Sequence, residues 1–359
     1  MSNNLGDLIA IGRKAKGLTQ AELGELVGVT QVTINRYESG DREPDSGMLR
    51  ALAHALGITE RALRHGDRFH GALAVDAHMR RQKSTKASLW RRVEAELNLL
   101  RVHSSLLFEE VSLRSEQRVP TFDPEFTAPF DAARLVRAQW RLPIGPVTNL
   151  VRWMEAAGCL IFEDDFGTHR IDGMSQWVGD HPVVLLNSVA TPDRRRLTLA
   201  HELGHLVLHS NEVSEDIETQ ANEFAAEFLM PEAAIRSELR RKDLGTLLDL
   251  KREWGVSMQA IFERAYRLGL ATPAERTAFY KAMNARGWKT KEPGSETVPL
   301  ERPQLPASIG EALRTKGLTD DEMNELSGYT AGAMNPFKPV ERHLQAVQTV
   351  PTASRRPLG

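Results

Sequence analysis

Leu197-Thr-Leu-Ala-His-Glu-Leu-Gly-His-Leu-Val-Leu-His209 is the stretch that decides the fold, with His201, Glu202 and His205 set in an apolar helical pattern. Two histidines four residues apart share one helix face a single turn apart, so both imidazoles can reach one ion. Glu202 projects beside them, where a carboxylate can serve as general base. Leu197, Leu199, Leu203, Leu206 and Leu208 surround the motif, while Thr191, Pro192 and Asp193 offer a helix start. A solvated surface helix would not need apolar residues on nearly every other side.

A hydrolytic zinc site needs a third protein ligand and an open coordination position. The segment Ile217-Glu-Thr-Gln-Ala-Asn-Glu-Phe-Ala-Ala-Glu-Phe-Leu-Met-Pro231 supplies candidates on a second helix, whose stripe of Ala221, Phe224, Ala225, Phe228 and Leu229 would pack on the first. Glu218 and Asn222 share a face there, so Glu218 is the expected ligand and Asn222 a hydrogen-bond partner for one. Glu223 and Glu227 compete, but Glu223 lies about 140° around the helix from Glu218, and Glu227 sits near the helix end. His209, about 80° around from His201, is a poor ligand candidate and is read as structural.

The run HELGHLVLH followed by E-x-x-A-N-x-F-A-A-E-F-L-M-P resembles the ImmA/IrrE-type zinc metallopeptidases over Ala128 to about Gly294. That resemblance implies a gluzincin-like protease. It carries the two His ligands onto His201 and His205, the base onto Glu202 and the Glu ligand onto Glu218, with one Zn2+ per chain. Many such proteases act on DNA-binding repressors. Within the same span, Phe162–Phe166, Arg170–Trp177 and Pro182–Asn187 read as three strands ahead of the active-site helix. A substrate strand is expected along an edge formed by Val183, Val184 and Leu185. For the oxyanion donor, His169, Trp177 and Tyr280 carry no decisive signal.

At the other end, Thr19-Gln-Ala-Glu22 is a capping box opening a helix to Val27, Gly28 is a natural terminator, and Thr30 can cap a second helix from Gln31 to about Glu38. Helix, short glycine turn, helix is the helix-turn-helix plan. Arg13, Lys16-Gly-Leu-Thr-Gln20, Leu23, Gly28-Val29, Ile34, Tyr37-Glu38, Gly40 and Pro44 resemble the phage-repressor (XRE) class over Leu5 to about Leu63. Gln20 is then expected at phosphate, with Gln31, Thr33, Asn35 and Arg36 toward bases or backbone. Val32 and Ile34 cannot both face DNA, and Ile34 is expected inward. Residues 1–65 hold eight Lys/Arg and eight Asp/Glu, so no basic excess adds non-specific affinity.

A net charge of −2 over 359 residues argues against a general nucleic-acid or membrane coat. The single cysteine, Cys159, excludes an intrachain disulfide and fits a reducing compartment, and no signal peptide or membrane-length apolar run is present. The expectation is a cytoplasmic chain without membrane contact.

The expected organisation is a helix-turn-helix domain at 1–66, a linker and amphipathic helix at 67–125, a metallopeptidase domain at 126–300, a helical element at 301–345 and an irregular tail at 346–359. The fold class is α+β: an all-α domain, then a gluzincin-like mixed α/β domain, then a helical C-terminal region. Arg80–Lys86 is a basic linker, and Leu89, Val93, Leu97, Leu100, Ser104, Leu107 and Val111 form a helical stripe. That stripe suits packing on the protease domain or a coiled-coil dimer seam. Pro120–Pro129 reads as a boundary before a helix over Ala132–Arg141, and Glu232–Leu239, Leu244–Glu253 and Ser257–Leu268 read as short helices.

An internal repeat completes the reading. Lys16–Thr30 reappears as Lys316–Thr330 at a constant offset of 300, with nine of fifteen positions identical. Asp320 and Asp321 replace Gln20 and Ala21 at a helix start that would otherwise meet phosphate, and Gly332 and Pro336 break the counterpart of the recognition helix. The copy is therefore expected to pack or to dock a partner rather than to bind DNA. Together these features point to a DNA-binding regulatory zinc protease acting on a repressor or other regulatory protein, in a stress, mobile-element or toxin–antitoxin setting. The competing reading is a repressor or antitoxin, with a cognate toxin as partner, whose zinc domain is a sensor or scaffold.

Overall fold

A computed structural model describes residues 4–64, 87–209, 216–289 and 291–339; the basic linker and the terminal tail fall outside them. Helices α1 (Asn4–Ala15), α2 (Gln20–Val27), α3 (Gln31–Ser39), α4 (Ser46–Leu56) and α5 (Glu60–Arg64) form the N-terminal bundle. The α2–α3 turn forms for local reasons. Thr19 and Glu22 close the capping box, Gly28 takes φ 75°, and Thr30 caps α3 by accepting from the Thr33 amide. Leu8, Leu23, Ile34, Leu49 and Leu52 fill the bundle, and Ile34 lies inward while Val32 stays exposed.

Helix α6 (Ala87–Glu110) ties the chain together. Its Val102 and Leu106 complete the bundle core, while Val93, Leu97 and Leu107 pack with sheet residues such as Phe162 and Leu185. Most of the stripe expected from its spacing thus packs inside the chain, on the sheet side of the mixed α/β part.

After α7 (Pro129–Gln139) and α8 (Leu150–Ala156) come β1 (Leu160–Asp164), β2 (Gly173–Val178) and β3 (His181–Asn187), in the order β1-β3-β2. β1 runs parallel to β3 and β2 antiparallel to it. This order corrects the expected substrate edge. Val183, Val184 and Leu185 occupy the central strand, hydrogen-bonded on both sides and at most 1% exposed, so no further strand can pair there. The edge strands are β1 and β2.

The sheet backs α9 (Pro192–Leu208), which crosses α10 (Ile217–Leu229). Gly204 makes this crossing close, because a Cβ there would lie 3.2 Å from the Ala221 backbone. The start of α9 is anchored by the fully buried Lys251, whose Nζ meets Asp193 at 2.8 Å and Glu292 at 3.0 Å. Helices α11 (Glu232–Ile235), α12 (Leu244–Trp254), α13 (Met258–Arg267) and α14 (Pro273–Ala285) complete this mixed α/β part.

The C-terminal repeat forms α15 (Leu305–Thr315) and α16 (Asp320–Ser327), the latter with the Thr319–Glu322 capping box and Gly328 at φ 80°. No helix follows over 331–337. The repeat folds back on the rest of the chain. Tyr329 bridges Ile58, the Thr59 amide donates to the Gly328 carbonyl at 2.9 Å, and the Thr330 amide donates to Gly57 at 3.3 Å. His103 of α6 donates through Nδ1 to the Ser327 carbonyl at 2.7 Å and stacks on Tyr329 with centroids 3.7 Å apart.

Candidate metal centre and DNA-reading surface

One turn of α9 aims His201 and His205 at the same point, with their Nε2 atoms 3.0 Å apart. Glu218, at the start of α10, brings Oε2 to 3.5 Å from His201 Nε2 and Oε1 to 3.4 Å from His205 Nε2. Tetrahedral zinc with bonds near 2.0–2.1 Å places ligand atoms about 3.3 Å apart. The donor atoms here all lie within 4.8 Å of one another, with a different Glu218 oxygen nearest each imidazole, so the set suits a single ion. Glu223 is exposed and Glu227 is buried against Arg134 and Arg264; neither belongs to the cluster of donor atoms found among the described residues.

The rings are held in the correct tautomer from behind. His201 Nδ1 faces Asn222 Oδ1 at 3.1 Å, and the Asn222 amide donates to the Glu218 carbonyl at 2.7 Å. His205 Nδ1 meets His209 Nδ1 at 3.0 Å, and His209 Nε2 meets Gln220 Oε1 at 2.7 Å. Burial pushes the His209 pKa down to about 4, so this ring is neutral. It donates from Nε2 to Gln220 and accepts at Nδ1 from His205, which turns the lone pair of His205 Nε2 toward the ion. Burial opposes charge on Glu218, but its contacts with both imidazoles outweigh burial and hold the carboxyl well below the usual range.

Glu202 is 3% exposed and lines the cleft beside these ligands. Ser175 of β2 donates its hydroxyl to Glu202 Oε2 at 2.7 Å. The cleft, about 290 Å³, is also walled by Gly173 of β2, by Arg194 and by Trp90 of α6. It shares Arg194, Leu197 and Asn222 with an adjoining cavity of about 400 Å³ between α9, α10 and α13. None of the oxyanion candidates lines the cleft. Trp177 Nε1 is spent on the Leu206 carbonyl and the Tyr280 hydroxyl on Glu263.

On the bundle, Gln31, Val32, Asn35 and Arg36 of α3 are exposed on one side. Gln20 sits at the start of α2, donating to Glu38 at 2.8 Å and accepting from Gln31 at 3.0 Å, while Arg13 grips Glu38 with Nε at 2.5 Å and Nη2 at 3.0 Å. Thr33 turns back to the Thr30 hydroxyl at 3.0 Å.

Residues 154–266 match the IrrE N-terminal-like domain model, and residues 9–63 match the helix-turn-helix model. The chain fuses a helix-turn-helix domain to an IrrE-like peptidase domain. The IrrE-like stretch is similar to the radiation response metalloprotease IrrE of Deinococcus radiodurans, 40% identical over 76 residues, covering 17% of this chain and 23% of that protein. The helix-turn-helix stretch is similar to repressor protein C2 of Salmonella phage P22, 38% identical over 63 residues, covering 18% of this chain and 29% of the repressor. The chain thus spans about a quarter of the length of each of these relatives. All of the metal-site residues fall within the IrrE-like match. No helix among the described residues is long and apolar enough to cross a membrane.

Sequence reasoning missed three contributors to the IrrE-like site. Ser175 and Trp90 lie far from the motif in the chain, and no local spacing signals them. Gln220 was legible in principle, since it follows Glu218 by two residues, but its role depends on where His209 points.

Proposed function

We propose that the IrrE-like domain hydrolyses peptide bonds with one zinc ion held by His201, His205 and Glu218, and that the helix-turn-helix domain carries this activity to DNA. The observation behind this is the convergence of three donor side chains within 4.8 Å of one another, with a buried, hydroxyl-held carboxylate beside them. Zinc bound there supplies Lewis acidity to the scissile carbonyl and to water. Glu202 takes the proton from water and returns it to the leaving amine. Ser175 holds one Glu202 oxygen, so the other is presented to the cleft in one orientation. An extended substrate adds along the outer edge of β2, the edge strand whose Gly173 lines the cleft, and continues into the adjoining cavity.

Gln31, Asn35 and Arg36 read the operator, with Gln31 pre-oriented by Gln20. The substrate in this reading is a regulatory DNA-binding protein, in a stress, mobile-element or toxin–antitoxin setting; of the two relatives, one is named a radiation response metalloprotease and the other a repressor. The chain is cytoplasmic in this reading. Metal analysis of the full chain tests the site: about one zinc per chain is expected, with loss in the His201→Ala, His205→Ala double variant. Stoichiometric zinc in that variant overturns the assignment. Glu202→Gln should keep zinc and lose cleavage of a co-expressed regulatory partner. Full cellular function in Glu202→Gln would instead leave the zinc domain as a scaffold in a repressor or antitoxin.

A further inference from the structure

A cavity of about 410 Å³ lies away from the metal cleft, where α6, β1 and the C-terminal repeat meet. Its walls are apolar: Leu99 and Leu100 of α6, Phe162 of β1, Leu185 of β3, and Tyr329 and Pro336 of the repeat. Its charged lining is of one sign. Glu96, Glu163 and Asp164 line it, and no lysine or arginine does. Two further titratable groups line it and neither adds charge: His103 is buried, donates to Ser327 and has its pKa lowered by burial to about 4, and burial raises the Tyr329 hydroxyl above its ordinary range.

The three carboxyls are not equally satisfied. Glu163 is paired with Arg195, and Arg302 approaches it at 3.7 Å. Glu96 and Asp164 share a single guanidinium, that of Arg92, at 2.8 Å from Glu96 and 4.0 Å from Asp164. Two carboxylates against one cation leave one negative charge. Glu96 Oε2 is buried and takes no hydrogen bond from the protein. Burial and the facing Asp164 carboxyl raise the Glu96 pKa to about 7, as expected when two acids meet with too few donors. Below about pH 7 a proton relieves that deficit.

We infer that this cavity binds a small amphipathic organic cation, an ammonium or amidinium on an aromatic or aliphatic body, with the cationic head between Glu96 and Asp164 and the body against Leu99, Phe162, Leu185 and Tyr329. The head replaces the proton and supplies the missing donor to Glu96 Oε2. The Asp164 side chain is half exposed, so the charged end of the cavity meets solvent while the apolar walls lie deeper; those walls favour an organic body over a bare hydrated ion, which would gain nothing from them. The volume matches that of a small-molecule site. Its position gives the ligand a consequence. Tyr329 and Pro336 belong to the repeat and Leu99 to α6, so occupancy favours the docked repeat, which is bridged to the DNA-reading bundle at Gly57–Thr59.

The test uses the full chain and three probes that share a phenylethyl body: 2-phenylethylammonium, neutral 2-phenylethanol and anionic 3-phenylpropionate. Isothermal titration should give the ammonium at least about tenfold tighter binding than the alcohol, with the carboxylate weakest of the three. Glu96→Gln should bring ammonium and alcohol within about threefold of each other, and Leu99→Trp should abolish binding by filling the cavity. Retained zinc content in both variants reports that the fold persists. Equal affinity for ammonium and alcohol overturns the inference. So does undiminished ammonium binding by Glu96→Gln, or no binding of any probe up to about 10 mM.

Discussion

Acidification should loosen the C-terminal repeat through one buried imidazole. His103 is fully enclosed between α6 and the repeat, bonded to the Ser327 carbonyl and stacked on Tyr329. Burial lowers its pKa from 6.5 to about 4. The unfolded chain therefore binds a proton below pH 6.5 that the folded chain refuses until about pH 4. Stability is complete above the unfolded value and is lost as pH falls through this window. The linkage integral gives a loss of about 2 kcal/mol between pH 7 and pH 5, rising to about 3 kcal/mol when the fall is complete. His103→Gln retains a donor for Ser327 but does not titrate. Urea unfolding of both proteins at pH 7 and pH 5 isolates the effect. The parent midpoint should fall by about 0.5–1 M more than that of His103→Gln, taking about 2–3 kcal/mol per molar for the denaturant slope. Equal falls in the two proteins would refute the reasoning.

Three further outcomes follow from close contacts. Gly204→Val drives two methyl groups into Ala221 and Phe224, so it should cost about 1–3 kcal/mol by overpacking and weaken zinc binding by displacing Glu218, read by calorimetry and metal titration. Ser175→Ala should leave zinc content unchanged yet lower turnover roughly tenfold by freeing the Glu202 carboxylate; unchanged turnover would remove Ser175 from the positioning role. Gly328→Ala places a Cβ 2.6 Å from Leu106 at φ 80°, so it should speed hydrogen exchange at the Thr59 and Thr330 amides while zinc stays bound; unchanged protection would refute this.

What the sequence by itself determined is the set of features closed within one or two turns of chain. The histidine pair with Glu202 is fixed by helix periodicity, and the Thr19, Thr30 and Thr319 caps and the Gly28 and Gly328 terminators by local hydrogen bonds and φ. Glu218 was nearly as legible, because it shares a face with Asn222 on a helix whose apolar stripe has to pack on the first. Strand order was not. β3 reads as an apolar run whether it lies at an edge or in the centre, and only pairing with β1 and β2 decides which. The same holds for Ser175 on Glu202, Trp90 in the cleft and the repeat on α6. Those contacts join residues 27 to more than 200 positions apart, and close packing rather than backbone geometry selects them.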